Sequence, residues 1–327
     1  MINRRIFLKK SLLASSAACL PPMHMLAGSK TFSQSRIVNA RNDNVRNAQG
    51  SLNSDAVYRL LNRAMENFFE TSRAREIWGS LFKPEDTVGI KINCLAGKGI
   101  STSHEIVDAI IENLLKCGIK KDRIIVWDRA NVDLEKAGYR VKTSTRNIRY
   151  FGTDHVGYSR RLYESGSIGS FLSNILVREC TAIINVPILK DHGIVGITNA
   201  LKNFFGAIHN PNKYHSHLGD PYIADVNVLS EIRNKTRLTV CDALTCQYEG
   251  GPPFMPQWTW NYNGIIVGKD MVALDTLGWK IIENKRIEKG LASLKNAGRE
   301  PTYIRTAADP MHSLGIHDLS KIDLISV

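Results

Sequence analysis

The chain has 327 residues, 43% hydrophobic and 23% charged, enough to bury a core without disulfide support. Its formal charge is +12, from 43 Lys and Arg against 31 Asp and Glu. That excess permits attraction to anionic ligands or headgroups without establishing it, and no Lys/Arg-rich run carries interleaved aromatics, which argues against nucleic-acid binding.

Residues 1–27 read as an export signal. Asn3-Arg4-Arg5-Ile6-Phe7-Leu8-Lys9-Lys10 forms a basic head without acids, followed by an apolar stretch from Ser11 to Leu20. The adjacent arginines followed by Phe-Leu-Lys are similar to the twin-arginine consensus, with Asn3 where Ser or Thr is usual. That implies the twin-arginine translocase as a partner and a destination in the periplasm or cell envelope. The apolar stretch is too short to cross a bilayer. Two maturation routes stay open. Cleavage after Ala27 would release the protein, whereas Ser16-Ala17-Ala18-Cys19 loosely resembles a lipoprotein box, and a lipid on Cys19 would tether it. Residues 28–54 are rich in Ser, Asn, Gln and Arg and read as a flexible spacer. Residues 55–327 are expected to form a single α/β domain.

Within that domain, apolar spacing predicts a helix over 55–78. Thr87 to Cys94 alternates like a strand, and residues 95–100 form a loop. Ser101, Thr102 or Ser103 caps a helix reaching Cys117 and stopped by Gly118. Arg123 to Asp128 is a short apolar run, so the order strand, loop, helix, strand predicts a βαβ unit. Strands are predicted at 146–150, near Val156 and at 180–187, and helices over 167–176, 195–205 and 222–234. Strands at 238–241 and 264–267 and a helix over 271–283 follow, with Gly250-Gly251-Pro252-Pro253 forcing a loop. The expected fold is α/β: a mostly parallel sheet flanked by helices, with long loop insertions.

Ligands of open parallel sheets bind beyond the carboxyl ends of strands. Asn93, Asp128, Lys190, Asp191, His192 and Asp242 fall there. The densest polar cluster adds Lys202, Asn203, His209, His215 and His217. Imidazole and carboxylate groups are metal ligands, which makes His192, His209 and Asp242 candidates for a transition metal. HExxH and H-x-H-x-D are absent, so the ligand spacing is not that of a known zinc motif. Lys91 and Asn93, with the Gly97-Lys98-Gly99 loop before a helix N-terminus, form a candidate subsite for an anion or cofactor. No Walker or G-x-G-x-x-G loop is present. The six cysteines form no C-x-x-C pair, so no iron–sulfur motif is indicated; Cys241 and Cys246 could pair or stay free. Asp275 on an apolar helix face needs a partner, either a structural cap or a catalytic neighbour. The aromatic run Trp258 to Tyr262 could wall a pocket or pack down a long loop.

Several strings resemble one family. Ile184-Asn185-Val186-Pro187-Ile188-Leu189-Lys190-Asp191-His192, Thr198-Asn199-Ala200-Leu201-Lys202-Asn203-Phe204-Phe205-Gly206, Gly250-Gly251-Pro252 and Asp270 to Asp275 are similar to the bacterial and archaeal domain-of-unknown-function family numbered 362. The resemblance covers about residues 85–285. It implies no general activity. Some relatives carry twin-arginine leaders and some carry ferredoxin segments, which implies redox chemistry for those; this chain lacks the closely spaced cysteines of such segments.

The expected function is therefore that of an exported enzyme acting on a small carboxylate or phosphate. Lys190, His192, Lys202, Asn203 and Asp242 are its candidate catalytic residues, with or without a metal. A periplasmic protein that binds an anion or metal without turnover, and a redox accessory protein, are the alternatives.

Overall fold

The computed structural model describes residues 34–327; the proposed export signal and Cys19 lie outside the described residues. Apolar runs of alternating orientation set the architecture. In β2 (Val88–Lys91), β3 (Ile124–Asp128), β7 (Ala182–Asn185) and β10 (Thr236–Gln247), successive side chains enter opposite cores. Ile124, Val126, Ala182, Ile184, Leu238 and Val240 join one cluster, and Ile125, Trp127, Ile183 and Cys241 the other. A strand buried on both faces is what a parallel sheet between two helical layers requires. The pairs β2–β3, β2–β7 and β7–β10 are parallel, as is the pair of β3 with β4 (Arg149–Gly152). The α/β fold with a mostly parallel sheet flanked by helices is thus present, in a sheet of 10 strands.

One end of the sheet is mixed. β1 (Ser35–Arg41) pairs antiparallel with β11 (Thr259–Gly268) and parallel with β12 (Ile322–Ser326). From residue 34 onward this corrects the reading of 28–54 as a spacer, because residues 35–41 are a strand of the main sheet and Ile37, Val38 and Ala40 are fully buried. Their partners lie more than two hundred residues along the chain, so the local polar composition hid them.

Several elements depart from the sequence reading. The helix expected over 55–78 is two, Ser54–Phe69 and Ala74–Leu81, separated where Glu70 adopts a left-handed conformation at φ 54°. Only the end of the helix expected over 167–176 is helical, where the π-helix Ile175–Glu179 begins; its start holds β6 (Ile168–Ser170), which pairs with β5 (Tyr163–Ser165). Val156 ends the short Thr153–Val156 helix rather than lying in a strand. Residues 195–205 divide into β9 (Gly196–Thr198) and the short helix Ala200–Asn203. β9 forms because it pairs with β8 (Ile188–His192), setting Lys190 opposite Thr198. The 222–234 helix divides into Tyr222–Val228 and Ser230–Arg233. Residues 259–262 belong to β11, and Trp258 and Trp260 pack edge-on against Tyr248 rather than walling the cavity below. Cys241 and Cys246 are both free and buried. Among the described residues, no helix is long and apolar enough to cross a membrane.

Candidate functional site

A cavity of about 320 Å³ opens beyond the carboxyl ends of β2 and β3, beside β8. Its floor carries Asn93 after β2, Asp128 at the end of β3, and Lys190 and His192 on β8. The Ala200–Asn203 helix adds Lys202 and Asn203, and the following segment adds Phe205, Gly206 and His215. Five of the residues expected to share a site (Asn93, Lys190, His192, Lys202 and Asn203) do line one cavity.

The short helix is held from behind. Asp275, on the Met271–Glu288 helix, accepts from the Leu201 N–H at 3.3 Å, and Asn199 Nδ2 donates to the Leu274 carbonyl at 3.0 Å. Burial holds the Asp275 carboxyl well above the usual range. Of its two expected roles, the structure gives Asp275 the helix cap.

Asn203 ties the floor together. Its Nδ2 donates to Asn185 Oδ1 at 2.8 Å and to the Lys91 carbonyl at 3.2 Å, and its Oδ1 accepts from Asn93 Nδ2 at 3.1 Å. With its amide engaged on both sides, Asn203 positions its neighbours rather than acting on a ligand. Lys91 lies beneath the floor and does not line the cavity. Its Nζ donates to Asp128 Oδ1 at 2.7 Å and to the Ile92 carbonyl at 2.7 Å. That corrects its expected role as a ligand contact. Asp128 also accepts from the Cys94 N–H at 2.6 Å, so both its oxygens are engaged. Gly206 passes close over this pair; a Cβ there would lie 2.9 Å from Asp128 Oδ1 and 3.0 Å from Lys91 Nζ, so only glycine fits without displacement.

The other cations are poorly compensated. Arg129, which also lines the cavity, reaches Asp133 at 3.3 Å. Lys190 Nζ donates to the Ile100 carbonyl at 3.3 Å and has no carboxylate partner among the described residues. Lys202 lies with Nζ 4.2 Å from the centre of the Phe205 ring, and among the described residues it meets neither a hydrogen-bond acceptor nor a carboxylate. Burial lowers Lys190 to about 8. Burial, reinforced by Lys190, Lys91 and Arg129, lowers Lys202 to about 7.

Two imidazoles flank these lysines, their ring centres 5.5 Å apart. His192 Nδ1 accepts from the Ile194 and Val195 N–H groups at 3.3 and 3.4 Å, so its proton sits on Nε2. His215 Nδ1 lies 3.1 Å from the Pro211 carbonyl, which can only accept; its proton therefore sits on Nδ1 and its lone pair on Nε2. Burial and then Lys202 push His192 down to about 2 and His215 down to about 4. Both rings are neutral at neutral pH. Asn93 Oδ1 is buried and has no donor partner among the described residues.

Two expected residues lie elsewhere. Asp242 lines a second cavity of about 210 Å³. It is 1% exposed, and its oxygens accept from Ser103 N–H at 2.7 Å and Leu244 N–H at 3.0 Å. Ser103 caps the His104–Lys116 helix, so the anion drawn to the helix start after Gly97-Lys98-Gly99 is the chain's own Asp242 carboxylate. His209 is exposed and sits edge-on to Tyr158, outside both cavities. His192, His209 and Asp242 therefore do not converge. Among the described residues, no group of three His, Cys, Asp or Glu side chains could hold a metal ion.

Asp128 and His215 were noted at a strand end and in the polar cluster but not given a catalytic or ligand role, and Arg129 was missed. Asp128 carried a signal as the end of a predicted strand, and Arg129 follows it directly. His215 and His217 looked equivalent in the sequence, yet His215 lines the cavity and His217 is exposed.

No curated protein matches the chain. Among solved structures it is similar to a Thermotoga maritima protein, Northeast Structural Genomics Consortium target VR152, at 11% identity and a TM-score of 0.42. The likeness covers 73% of this chain and 60% of that one, so the chain spans less than two thirds of that protein's length. The model of the family described as Domain of unknown function (DUF362) matches residues 88–280. Every residue that lines the larger cavity falls within this span, and the chain belongs to the DUF362 family.

Proposed function

We propose that the chain is an enzyme acting on a small carboxylate or phosphate bound in the 320 Å³ cavity, and that residues 1–27 export it through the twin-arginine route. One observation carries the substrate class: Lys190 and Lys202 face a common cavity and neither has a carboxylate partner among the described residues. A buried ammonium without a counter-charge is costly, and an anionic ligand would supply the missing charge. Asp128 offsets Lys190 only in part and without a direct contact, because Lys91 and the Cys94 N–H already engage its oxygens. The neutral imidazoles favour turnover over simple binding. His215 presents a lone pair on Nε2 as a base, whereas a pure binding site needs only lysines and amides.

Titration calorimetry with acetate, propionate and inorganic phosphate tests this reading. Saturation with one of them should raise the melting temperature, and Lys190→Met should abolish that rise. Equal heats for the parent and Lys190→Met would place the anion outside the cavity and defeat the reading.

A further inference from the structure

The cations near the cavity are not equivalent. Lys91 is held by Asp128 and a carbonyl, Arg129 by Asp133, and Lys190 by the Ile100 carbonyl. Lys202 is held by no oxygen among the described residues; its Nζ rests over the Phe205 ring. The ring face attracts a cation only weakly; burial beside Lys190, Lys91 and Arg129, away from any carboxylate, favours the amine in its neutral, nucleophilic form.

We propose that Lys202 is a catalytic nucleophile that captures the carbonyl group of a small oxo acid as an imine. The substrate class deepens the anion reading and rests on it. The substrate carboxylate supplies counter-charge to Lys190 and Arg129, and its carbonyl carbon meets Lys202.

The Nζ lone pair forms a C–N bond while the carbonyl π pair moves onto oxygen. That oxygen takes a proton, giving a carbinolamine. The nitrogen gives up its second proton, the C–O bond breaks, and the hydroxyl leaves as water, so both hydrogens of that water are matched by the two the amine loses. An imine replaces amine and ketone, and no oxidant or reductant is consumed. The chain provides what these steps need. The Lys190 ammonium faces the developing alkoxide, His215 Nε2 can carry the proton between nitrogen and oxygen, and the unpartnered Asn93 Oδ1 can accept from the carbinolamine hydroxyl.

Reductive trapping tests the imine directly. The full chain is incubated with pyruvate and cyanoborohydride, digested and mapped by mass spectrometry. The expected result is one adduct, with the mass of pyruvic acid less one oxygen atom, confined to Lys202. Propionate, which has the carboxylate but no carbonyl, should suppress it, and Lys202→Arg should lack it. The trapping rate should rise with pH and level off near 7, where Lys202 loses its proton, whereas surface lysines react faster up to about 10.4. Mapping on the unaltered protein keeps the test valid if Lys202→Arg fails to fold. Binding of propionate and pyruvate that Lys190→Met abolishes, without an adduct on Lys202, would overturn the imine and leave the anion site standing. Labelling spread over surface lysines would also overturn it. If neither acid binds, the imine falls, and if inorganic phosphate also fails to bind, the anion site falls with it.

Discussion

Lys190 and Asp191 are neighbours on β8, both at most 1% exposed, and they bury charge in opposite ways. Alternation along the strand sends Asp191 away from the cavity, to Arg299 and, at 3.9 Å, Arg286. Its other oxygen accepts from the Gly251 N–H at 2.9 Å, and Glu249 completes the network by pairing with both arginines. Burial still outweighs these partners and raises the Asp191 carboxyl to about 6. Lys190, on the cavity side, has a single carbonyl at 3.3 Å. A compensated cluster of this kind is a joint, here fastening the C-terminal segment and the Gly-Pro loop to β8. An uncompensated one is poor as a joint and suited to a ligand, because its missing charge must come from outside the chain.

The largest effect should come from breaking the joint. Arg299→Ala leaves Asp191 and Glu249 short of a partner and should cost about 3–5 kcal/mol in urea unfolding. A loss below about 1 kcal/mol would mean that Arg286 alone compensates Asp191, and the contrast between the two sides of β8 would weaken.

On the cavity side the sign should reverse. Lys202→Met removes a cation without a carboxylate partner and should stabilise the protein by about 1–3 kcal/mol at pH 6–7 while weakening anion binding. The pH dependence gives a second check. The folded pKa of Lys202 is lowered to about 7 from the ordinary 10.5, so between those values the unfolded chain binds more protons and the parent's stability rises with pH. The advantage of Lys202→Met should therefore be greatest below pH 7 and shrink above it. Reading the change below about 8.5 avoids the titration of cysteine thiols in the unfolded chain. An advantage that stays constant with pH would show that Lys202 is not buried as a cation.

Asp242 is another satisfied carboxylate. Asp242→Asn should cost about 1–2 kcal/mol, because it weakens two hydrogen bonds from backbone N–H groups to a charged acceptor. Anion affinity should not change, since Asp242 lies outside the larger cavity. A loss of anion binding with stability intact would return Asp242 to the site.

The smallest effect belongs to His312, whose ring bridges Asp225 at 3.0 Å and Asp309 at 2.9 Å. The hydrogen bond to Asp225 raises its pKa above the ordinary 6.5. Its contribution is therefore fully present below pH 6.5 and fades as pH rises through the raised value. His312→Gln should cost about 1 kcal/mol at pH 6 and progressively less towards pH 9, measured as the difference from the parent.

Much of this was legible locally. The strands β2, β3 and β7 stand out as short apolar runs, and strand-end polar residues pointed to Asn93, Lys190 and His192. The short strand β9 was not legible, because Gly196 to Thr198 becomes a strand only through its pairing with β8. β1 was hidden for the same reason, its partners β11 and β12 being distant in the chain. Strand-end position also misled at Asp242. Its location matched that of Asp128, but the N-terminal end of a helix had already taken its charge.

By itself the sequence determined the α/β class of the protein, which depends on local apolar periodicity, and its family, through the resemblance of strings such as Ile184 to His192 and Thr198 to Gly206. Only the tertiary structure decided which charges are answered. Lys91 and Asp128 are 37 positions apart, Asp191 and Arg299 108, and Ser103 and Asp242 139. No local pattern encodes such pairings, and they leave Lys190 and Lys202 as the buried cavity cations without a carboxylate partner among the described residues.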